Sequence, residues 1–131
     1  MKTTFFAITT AIILIGCGKK EEPKEPLYPA AEVSSTDQQI EEGRALFDNK
    51  GNCAACHQPD QRIIGPSIAE IAKIYKDSNG DIVAFLKENA EPIVDPEQYE
   101  VMKTNFAITK KMSDQELKSL EAYIYSFANA Q

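Results

Sequence analysis

Cys53-Ala54-Ala55-Cys56-His57 is the stretch of this 131-residue sequence that decides the fold. Two thiols separated by two residues, followed at once by an imidazole, form the C-x-x-C-H pattern that is typical of covalent haem attachment. In such a site each thiol adds across one haem vinyl group to form a thioether, and the imidazole becomes the proximal axial ligand of the iron. We therefore predict one covalent haem c bound by Cys53 and Cys56, with His57 as an axial ligand.

The rest of the composition limits the alternatives. The chain has one His and three Cys, which excludes a bis-histidine haem within one molecule and the usual Cys₂His₂ zinc site. The net charge of −6 argues against a nucleic-acid partner. A thioredoxin-like dithiol is an alternative interpretation of the motif cysteines, but it requires a strand–helix–strand context that the sequence does not show.

The N-terminus has the features of an export signal. A positive start precedes an apolar stretch from Phe5 to Ile15, which is too short to span a bilayer as a mature helix. Leu14-Ile15-Gly16-Cys17 resembles a bacterial lipobox, which implies lipidation of Cys17 and cleavage after Gly16. We predict a signal peptide at 1–16 and a membrane-anchored lipoprotein that faces the periplasm, with the cell surface as the alternative location.

Two further regions follow the lipidated cysteine. Residues 17–35 are dense in charge and contain three prolines, so we expect a flexible tether rather than part of a core. Residues 36–131 form the remaining domain, where apolar residues recur at helical spacing and no alternating strand pattern is found. The prediction is therefore an all-α domain of about four to five helices around the haem.

The helices of this domain can be placed approximately. We predict a first helix at 36–48 with Thr36 as its cap, and a second at 67–76 that begins at Ser67. A third helix is predicted at 81–89 and a short helical turn at 96–101. The last helix follows a capping box, Ser113-Asp114-Gln115-Glu116.

The loop after the pentapeptide offers candidates for contacts around the haem. A haem-ligating His normally donates its second ring N–H to an acceptor, which orients the ring. Pro66 has no N–H but keeps a carbonyl acceptor, so we predict that its carbonyl accepts the His57 hydrogen bond. We further predict that Ile63, Ile64 and Tyr75 pack against the haem.

The sixth iron ligand is a choice between two methionines. Without a second His, a Met thioether is the natural ligand, and it raises the reduction potential. Met112 directly precedes the capping box, where an apolar residue can pack on Leu117, so we expect Met112 to be structural. Met102 begins a stretch through Lys111 with little apolar periodicity, and we expect an irregular loop there. We predict Met102 as the ligand and keep Met112 as the alternative.

Together these residues resemble a class I mono-haem cytochrome c of the small bacterial type. The residues that carry the resemblance are Gly43, Phe47, the pentapeptide, Gly65-Pro66, Met102, Met112-Ser113-Asp114-Gln115-Glu116-Leu117 and Tyr123-Ile124. Lys103 stands where the family commonly has a Pro after its ligand Met. The resemblance implies that the first and last helices cross, with Gly43 and Phe47 against Leu120 and Tyr123.

The resemblance also implies a function. A His/Met haem has no free coordination site, so we expect an electron carrier and not an enzyme, monomeric and without a small-molecule substrate. Its partners would be respiratory or other redox proteins that dock near an exposed haem edge. Lys103, Lys110 and Lys111 are a candidate basic rim that would steer an acidic partner. The alternative is a haem c enzyme, or a gas or redox sensor, with a labile sixth ligand.

Overall fold

The computed structural model describes residues 35–128. The predicted signal peptide, the predicted lipidation site at Cys17 and almost all of the predicted tether therefore lie outside the described residues, as do residues 129–131. Within 35–128, no helix combines the length and the apolar character that crossing a membrane requires.

The described residues are helical. They form six α-helices and two short 3₁₀-helices, and the only β feature among them is an isolated bridge between His57 and Arg62. The α-helices are α1 (Ser35–Asp48), α2 (Ile68–Ser78), α3 (Ile82–Leu86), α4 (Tyr99–Lys103), α5 (Phe106–Thr109) and α6 (Asp114–Ser126). The 3₁₀-helices are Cys53–Ala55 and Pro96–Gln98. The predicted all-α fold is confirmed.

Local capping explains where several helices begin and end. The Ser67 side chain accepts the Glu70 N–H at the start of α2, and Ser113 and Glu116 form the predicted capping box of α6. The prediction of Thr36 as the cap of α1 is wrong, because the helix already includes Ser35, a residue of the predicted tether. Helix α3 ends earlier than predicted, since the backbone of Glu88 turns left-handed, with φ 61°.

The expectation of an irregular loop after Met102 is wrong. Met102 itself lies in α4, and α5 follows after a turn at Thr104 and Asn105. Contacts with distant parts of the chain hold this region: Phe106 is 2% exposed, and the Thr109 hydroxyl donates to the Leu86 carbonyl oxygen at 2.6 Å. Helix α4 overlaps the predicted helical turn at 96–101, and α5 is the helix that the prediction of four to five helices lacks.

Helices α1 and α6 pack in close contact. A Cβ at Gly43 would lie 1.9 Å from the Ser119 carbonyl oxygen and 2.8 Å from Cβ of Tyr123, so only a glycine permits this approach. The rings of Phe47 and Tyr123 are tilted against each other at 5.3 Å between centroids. The predicted contact of Gly43 and Phe47 with α6 is present at Tyr123, but the backbone nearest to Gly43 belongs to Ser119 rather than Leu120.

The buried core draws on α1, α2, α3 and α6. Its members are Phe47, Ile68, Ala72, Tyr75, Ile82, Leu86, Met112, Leu117, Leu120, Tyr123 and Ile124. Five of them, Phe47, Tyr75, Ile82, Leu86 and Ile124, also line a large cavity. The cavity is thus a continuation of the core. The loop between α1 and α2 and the stretch between α3 and α5, which includes α4, complete it.

Candidate functional site

The cysteine pentapeptide folds as a tight turn at the end of α1. Its first three residues form the 3₁₀-helix Cys53–Ala55, and the backbone N–H groups of Cys56 and His57 both donate to the Cys53 carbonyl oxygen at 3.0 Å. Asn52 enters this turn in a left-handed conformation, with φ 52°. As a result, the side chains of Cys53, Cys56 and His57 all line the same cavity.

The backbone at Gly51 passes directly behind the first thiol. Its N–H donates to the Leu46 carbonyl oxygen at 2.7 Å. A Cβ at this position would lie 2.8 Å from the same oxygen and 2.9 Å from Sγ of Cys53. A glycine at position 51 is therefore what allows the chain to leave α1 and still bring Cys53 to the cavity.

The loop after the pentapeptide closes on the imidazole. Nδ1 of His57 lies 2.7 Å from the Pro66 carbonyl oxygen, and the Gly65 N–H donates to the Cys56 carbonyl oxygen at 2.8 Å. When Nδ1 carries the proton, the ring donates to Pro66 and Nε2 is left with a free lone pair. This is the arrangement by which an outer carbonyl orients a metal-ligating His.

Cys53 and Cys56 do not form a disulfide with each other. Burial, with smaller contributions from Cys56 and Asp48, raises the pKa of Cys53 to about 11. Redox-active dithiols depend on a thiol whose pKa is lowered, because the thiolate is the reactive species. The environment of Cys53 therefore argues against the alternative of a thioredoxin-like dithiol.

The cavity is large and mostly apolar. The empty space between its lining residues, including the part that is open to solvent, is about 1160 Å³. Among the described residues that line it, Asp95 is the one acidic or basic side chain apart from His57. Apart from the motif residues and Met102, most of the side chains that line it are aliphatic or aromatic. Such a pocket suits a large, flat and mainly apolar group.

The structure separates the two candidate methionines. Met102 lines the cavity and is partly buried against the core. Met112 is 5% exposed and belongs to the core, and it is absent from the cavity lining. The thioether that shares a cavity with His57 is therefore the one at position 102.

Two of the three residues predicted to pack on the haem line the cavity. Ile64 and Tyr75 are part of the lining, whereas Ile63 is not. Ile63 is 45% exposed and begins a tight turn, in which its N–H donates to the Gly65 carbonyl oxygen at 3.3 Å. This turn leaves the Ile63 side chain outside the lining, so the structure does not bring it together with the other predicted haem contacts.

Tyr75 carries a polar group that no described residue satisfies. The side chain is 3% exposed, and its hydroxyl has no hydrogen-bond partner within residues 35–128. Burial raises the pKa of this hydroxyl, and an unsatisfied buried hydroxyl costs about 1–3 kcal/mol. An unpartnered donor in an apolar cavity, beside two thiols, an imidazole and a thioether, fits a macrocycle that carries polar substituents.

Comparison with known proteins agrees with this geometry. The family model for cytochrome c matches residues 40–128. The chain belongs to the cytochrome c family. Over 36 residues the cytochrome is 55% identical to a cytochrome c2 of Rubrivivax gelatinosus, a match that covers 28% of this chain and 42% of the relative. The chain thus spans less than half the length of that curated relative.

Family membership bears on two of the predictions. The predicted resemblance to a class I cytochrome c is confirmed, and so is the predicted haem c cofactor, because the pentapeptide fits the covalent attachment motif of the family. The individual roles of His57, Met102 and Pro66 at the iron remain predictions.

The structure of the cytochrome does not support the predicted basic rim. Lys103 pairs with Glu100 at 3.2 Å and lies over the Tyr99 ring, 5.5 Å from its centroid. Lys110 pairs with Glu88 at 2.5 Å. Two of the three lysines are therefore neutralised by glutamates, and little positive charge is left to steer an acidic partner.

Sequence analysis missed three polar residues at the site of this cytochrome. Asn105 lines the cavity and its amide donates to the Gly51 carbonyl oxygen at 3.1 Å, which ties the turn after α4 to the attachment turn. Arg62 and Asp95 form an ion pair at the edge of the cavity. Asn105 and Gly51 are 54 positions apart in the chain, and Arg62 and Asp95 are 33 positions apart. No local sequence pattern could therefore have indicated these contacts.

Proposed function

We propose that this cytochrome is an electron carrier whose haem c is bound by thioethers to Cys53 and Cys56 and ligated by His57 and Met102. One observation carries the proposal: both thiols, the imidazole and the Met102 thioether line a single, mostly apolar cavity. Met112, in contrast, is packed in the core.

The residues of the chain would act on the haem in distinct ways. The Pro66 carbonyl would fix the His57 ring and increase the basicity of its free nitrogen. The Met102 thioether would favour the reduced iron and raise the potential, and the apolar lining would exclude water. The haem itself supplies a reversible one-electron change of its iron. With His57 and Met102 both bound to the iron, no substrate would need to reach the metal.

The mouth of the cavity is where we expect redox partners to dock. Three exposed apolar side chains, Ile64, Ile93 and Val101, line the cavity and are 38–58% exposed. A partner that covers them would bury apolar surface and bring its own redox centre near the haem edge. Lys103 and Lys110 are paired with glutamates, so we expect apolar contact rather than a basic rim to dominate docking.

We also propose that the carrier is exported and tethered to a membrane by a lipid on Cys17. The support comes from the sequence: the lipobox-like Leu14-Ile15-Gly16-Cys17, the short apolar segment before it and the charged, proline-containing stretch after it. Bacterial haem c is attached outside the cytoplasm, which is consistent with export. Metabolic labelling with a radioactive fatty acid should mark the wild-type protein and not Cys17→Ala, and an unlabelled wild-type protein would contradict the tether.

Two methionine variants test the proposed ligation. Haem should remain on the chain in a denaturing gel, and the ferric protein should show the red absorption band of Met-to-iron ligation. We expect Met102→Ala to abolish the band. Met112→Ala should keep the band but lower the free energy of unfolding by about 2–5 kcal/mol, as for other core truncations. The reverse pattern would assign the ligand to Met112.

Carbon monoxide distinguishes a carrier from an enzyme or a gas sensor. A Met ligand in place should make the reduced native protein nearly inert to carbon monoxide. Rapid binding without denaturant would favour the alternative of a labile sixth ligand and would contradict the carrier.

A further inference from the structure

Arg62 joins two carboxylates that come from different parts of the chain. Its Nη1 lies 2.5 Å from Oδ2 of Asp95, and its Nη2 lies 2.9 Å from Oε1 of Glu70 in α2. Arg62 itself belongs to the turn after the pentapeptide, where it forms an isolated backbone bridge with His57. The guanidinium group therefore connects the loop of the proximal histidine to α2 and to the segment that contains Asp95.

The segment around Asp95 has few other polar attachments. Among the described residues, positions 90–94 make no backbone hydrogen bond. Asp95 begins the 3₁₀-helix Pro96–Gln98 by accepting the Gln98 N–H on its side chain, and α4, with Met102, follows at once. The pair with Arg62 is the ion pair that ties residues 90–98 to the rest of the described structure.

The ion pair between Arg62 and Asp95 lies where it can restrain the segment around Asp95. The Asp95 side chain is 18% exposed and lines the cavity, whereas the Arg62 side chain is 47% exposed. Isolated surface ion pairs stabilise proteins little, but a pair that shares its arginine with a second carboxylate forms a small network with a defined geometry. This network lies at the solvent edge of the cavity. It links the loop that follows His57 (residues 58–66, the His57 loop) to the start of the segment that carries Met102 (residues 95–103, the Met102 segment).

We propose that Arg62 is a positioning residue that, through Asp95, holds the Met102 segment against the His57 loop and so restrains Met102 on the haem iron. The inference rests on the proposed His57/Met102 ligation. Without the pair, apolar contacts such as those of Val94 with the core are left to hold the segment. Met102 then leaves the iron more often, and an external ligand competes with it more successfully.

Imidazole binding to the ferric holoprotein tests this inference. We expect Arg62→Gln and Asp95→Asn each to increase imidazole affinity about two- to fivefold, the size expected for one partly exposed ion pair. Asn caps a helix as well as Asp does, so Asp95→Asn removes the charge and keeps the turn. The double variant should show the same increase as either single variant, because both remove the same interaction.

Glu70→Gln is the matched control. It removes the other carboxylate of Arg62 and leaves the pair between Arg62 and Asp95 in place, so it should increase imidazole affinity by less than Asp95→Asn does. Arg62→Lys keeps a cation near Asp95 and should recover part of the wild-type resistance to imidazole. Guanidinium unfolding of the same variants separates this local effect from a global loss of stability.

The outcomes separate the two proposals. If the wild-type protein shows the red Met-to-iron band and the variants bind imidazole as it does, the positioning role of Arg62 is overturned and the carrier stands. Additive effects in the double variant, or an effect of Glu70→Gln equal to that of Asp95→Asn, would also overturn it. If the wild-type protein lacks the band, both the ligation and the inference fail.

Discussion

At the scale of single residues, Gly65 determines where the His57 ring can lie. A Cβ at position 65 would be 2.5 Å from Cε1 and 2.9 Å from Nδ1 of His57. We expect Gly65→Ala to displace the ring from the Pro66 carbonyl, to weaken the axial bond and to destabilise the holoprotein by about 1–3 kcal/mol, as overpacking does. Absorption spectra, the reduction potential and guanidinium unfolding of the holoprotein measure these effects.

The neighbouring residue provides the control for this prediction. Pro66 accepts the His57 hydrogen bond with its backbone carbonyl, so Pro66→Ala retains the acceptor. We expect the spectrum and the potential of Pro66→Ala to stay close to wild type. If Gly65→Ala also leaves both unchanged, the close approach of Gly65 does not position the ring.

Of these two neighbouring residues, only Pro66 could be given its role at the His57 ring from the sequence. The Pro66 contact could be anticipated, because a ligating His needs an acceptor and Pro66 offers a carbonyl without a competing N–H. The role of Gly65 could not be anticipated. The sequence does not show that the backbone at position 65 lies too close to the His57 ring for a methyl group to fit between them. Ile63 shows the same limit, because adjacent isoleucines look alike in sequence and only the turn decides which one lines the cavity.

At the scale of helices, the start of α6 combines a cap with an ion pair. Glu116 accepts the Ser113 N–H at 2.9 Å, and its other oxygen pairs with Lys50 at 2.5 Å. The hydrogen bond from Lys50, followed by that from the Ser113 backbone, lowers the pKa of Glu116 below its usual 4.5. The first turn of α6 is thereby linked to the segment that follows α1.

This lowered pKa predicts an acid dependence of stability. The contribution of ionised Glu116 is complete above pH 4.5 and is lost as the pH falls through its lower pKa in the folded protein. We expect the free energy of unfolding to decline in that range, and less steeply in Glu116→Gln, where Gln keeps the capping box without a charge. Guanidinium titrations at a series of acidic pH values measure the slopes.

An exposed glutamate serves as the control for the acid titration. Glu97 has no ion pair among the described residues, so Glu97→Gln should retain the wild-type slope. Equal slopes in wild type and Glu116→Gln would contradict the proposed contribution of the Lys50 pair.

The helices also show which signals a sequence carries. Helices α2 and α6 could be located because their caps lie within three residues of the groups they satisfy. Helices α4 and α5 have five and four residues, too few for apolar periodicity to appear. Short helices have little stability of their own, and here the burial of Phe106 and the hydrogen bond of Thr109 to Leu86 hold them.

At the scale of the whole molecule, Gly43 allows the two terminal helices to pack closely. Because its added methyl group would meet the Ser119 carbonyl oxygen, Gly43→Ala must push α1 and α6 apart. We expect a loss of about 3 kcal/mol in the free energy of unfolding, measured by guanidinium denaturation of the holoprotein. Ala45→Leu, at an exposed position of the same helix, should change stability by less than about 0.5 kcal/mol.

Comparable losses in the two variants would mean that the approach at Gly43 is not a constraint on the fold. The crossing of the first and last helices could be expected from the resemblance to a known family, which implies that Gly43 lies against the last helix. The long-range ion pairs could not, since Arg62 and Asp95, or Lys110 and Glu88, are complementary charges among many in a chain where 26% of residues are charged.

The sharing of side chains between core and cavity has a consequence for the supply of this protein in the cell. Five buried core side chains also line the cavity. They lack packing partners on that side until the cofactor is bound, so a chain that has not acquired its cofactor has an incomplete core. Such a chain opens more often, and transient opening exposes it to proteases. The abundance of the protein should therefore follow the rate at which haem is delivered to it, and chains that miss delivery should be removed rather than accumulate.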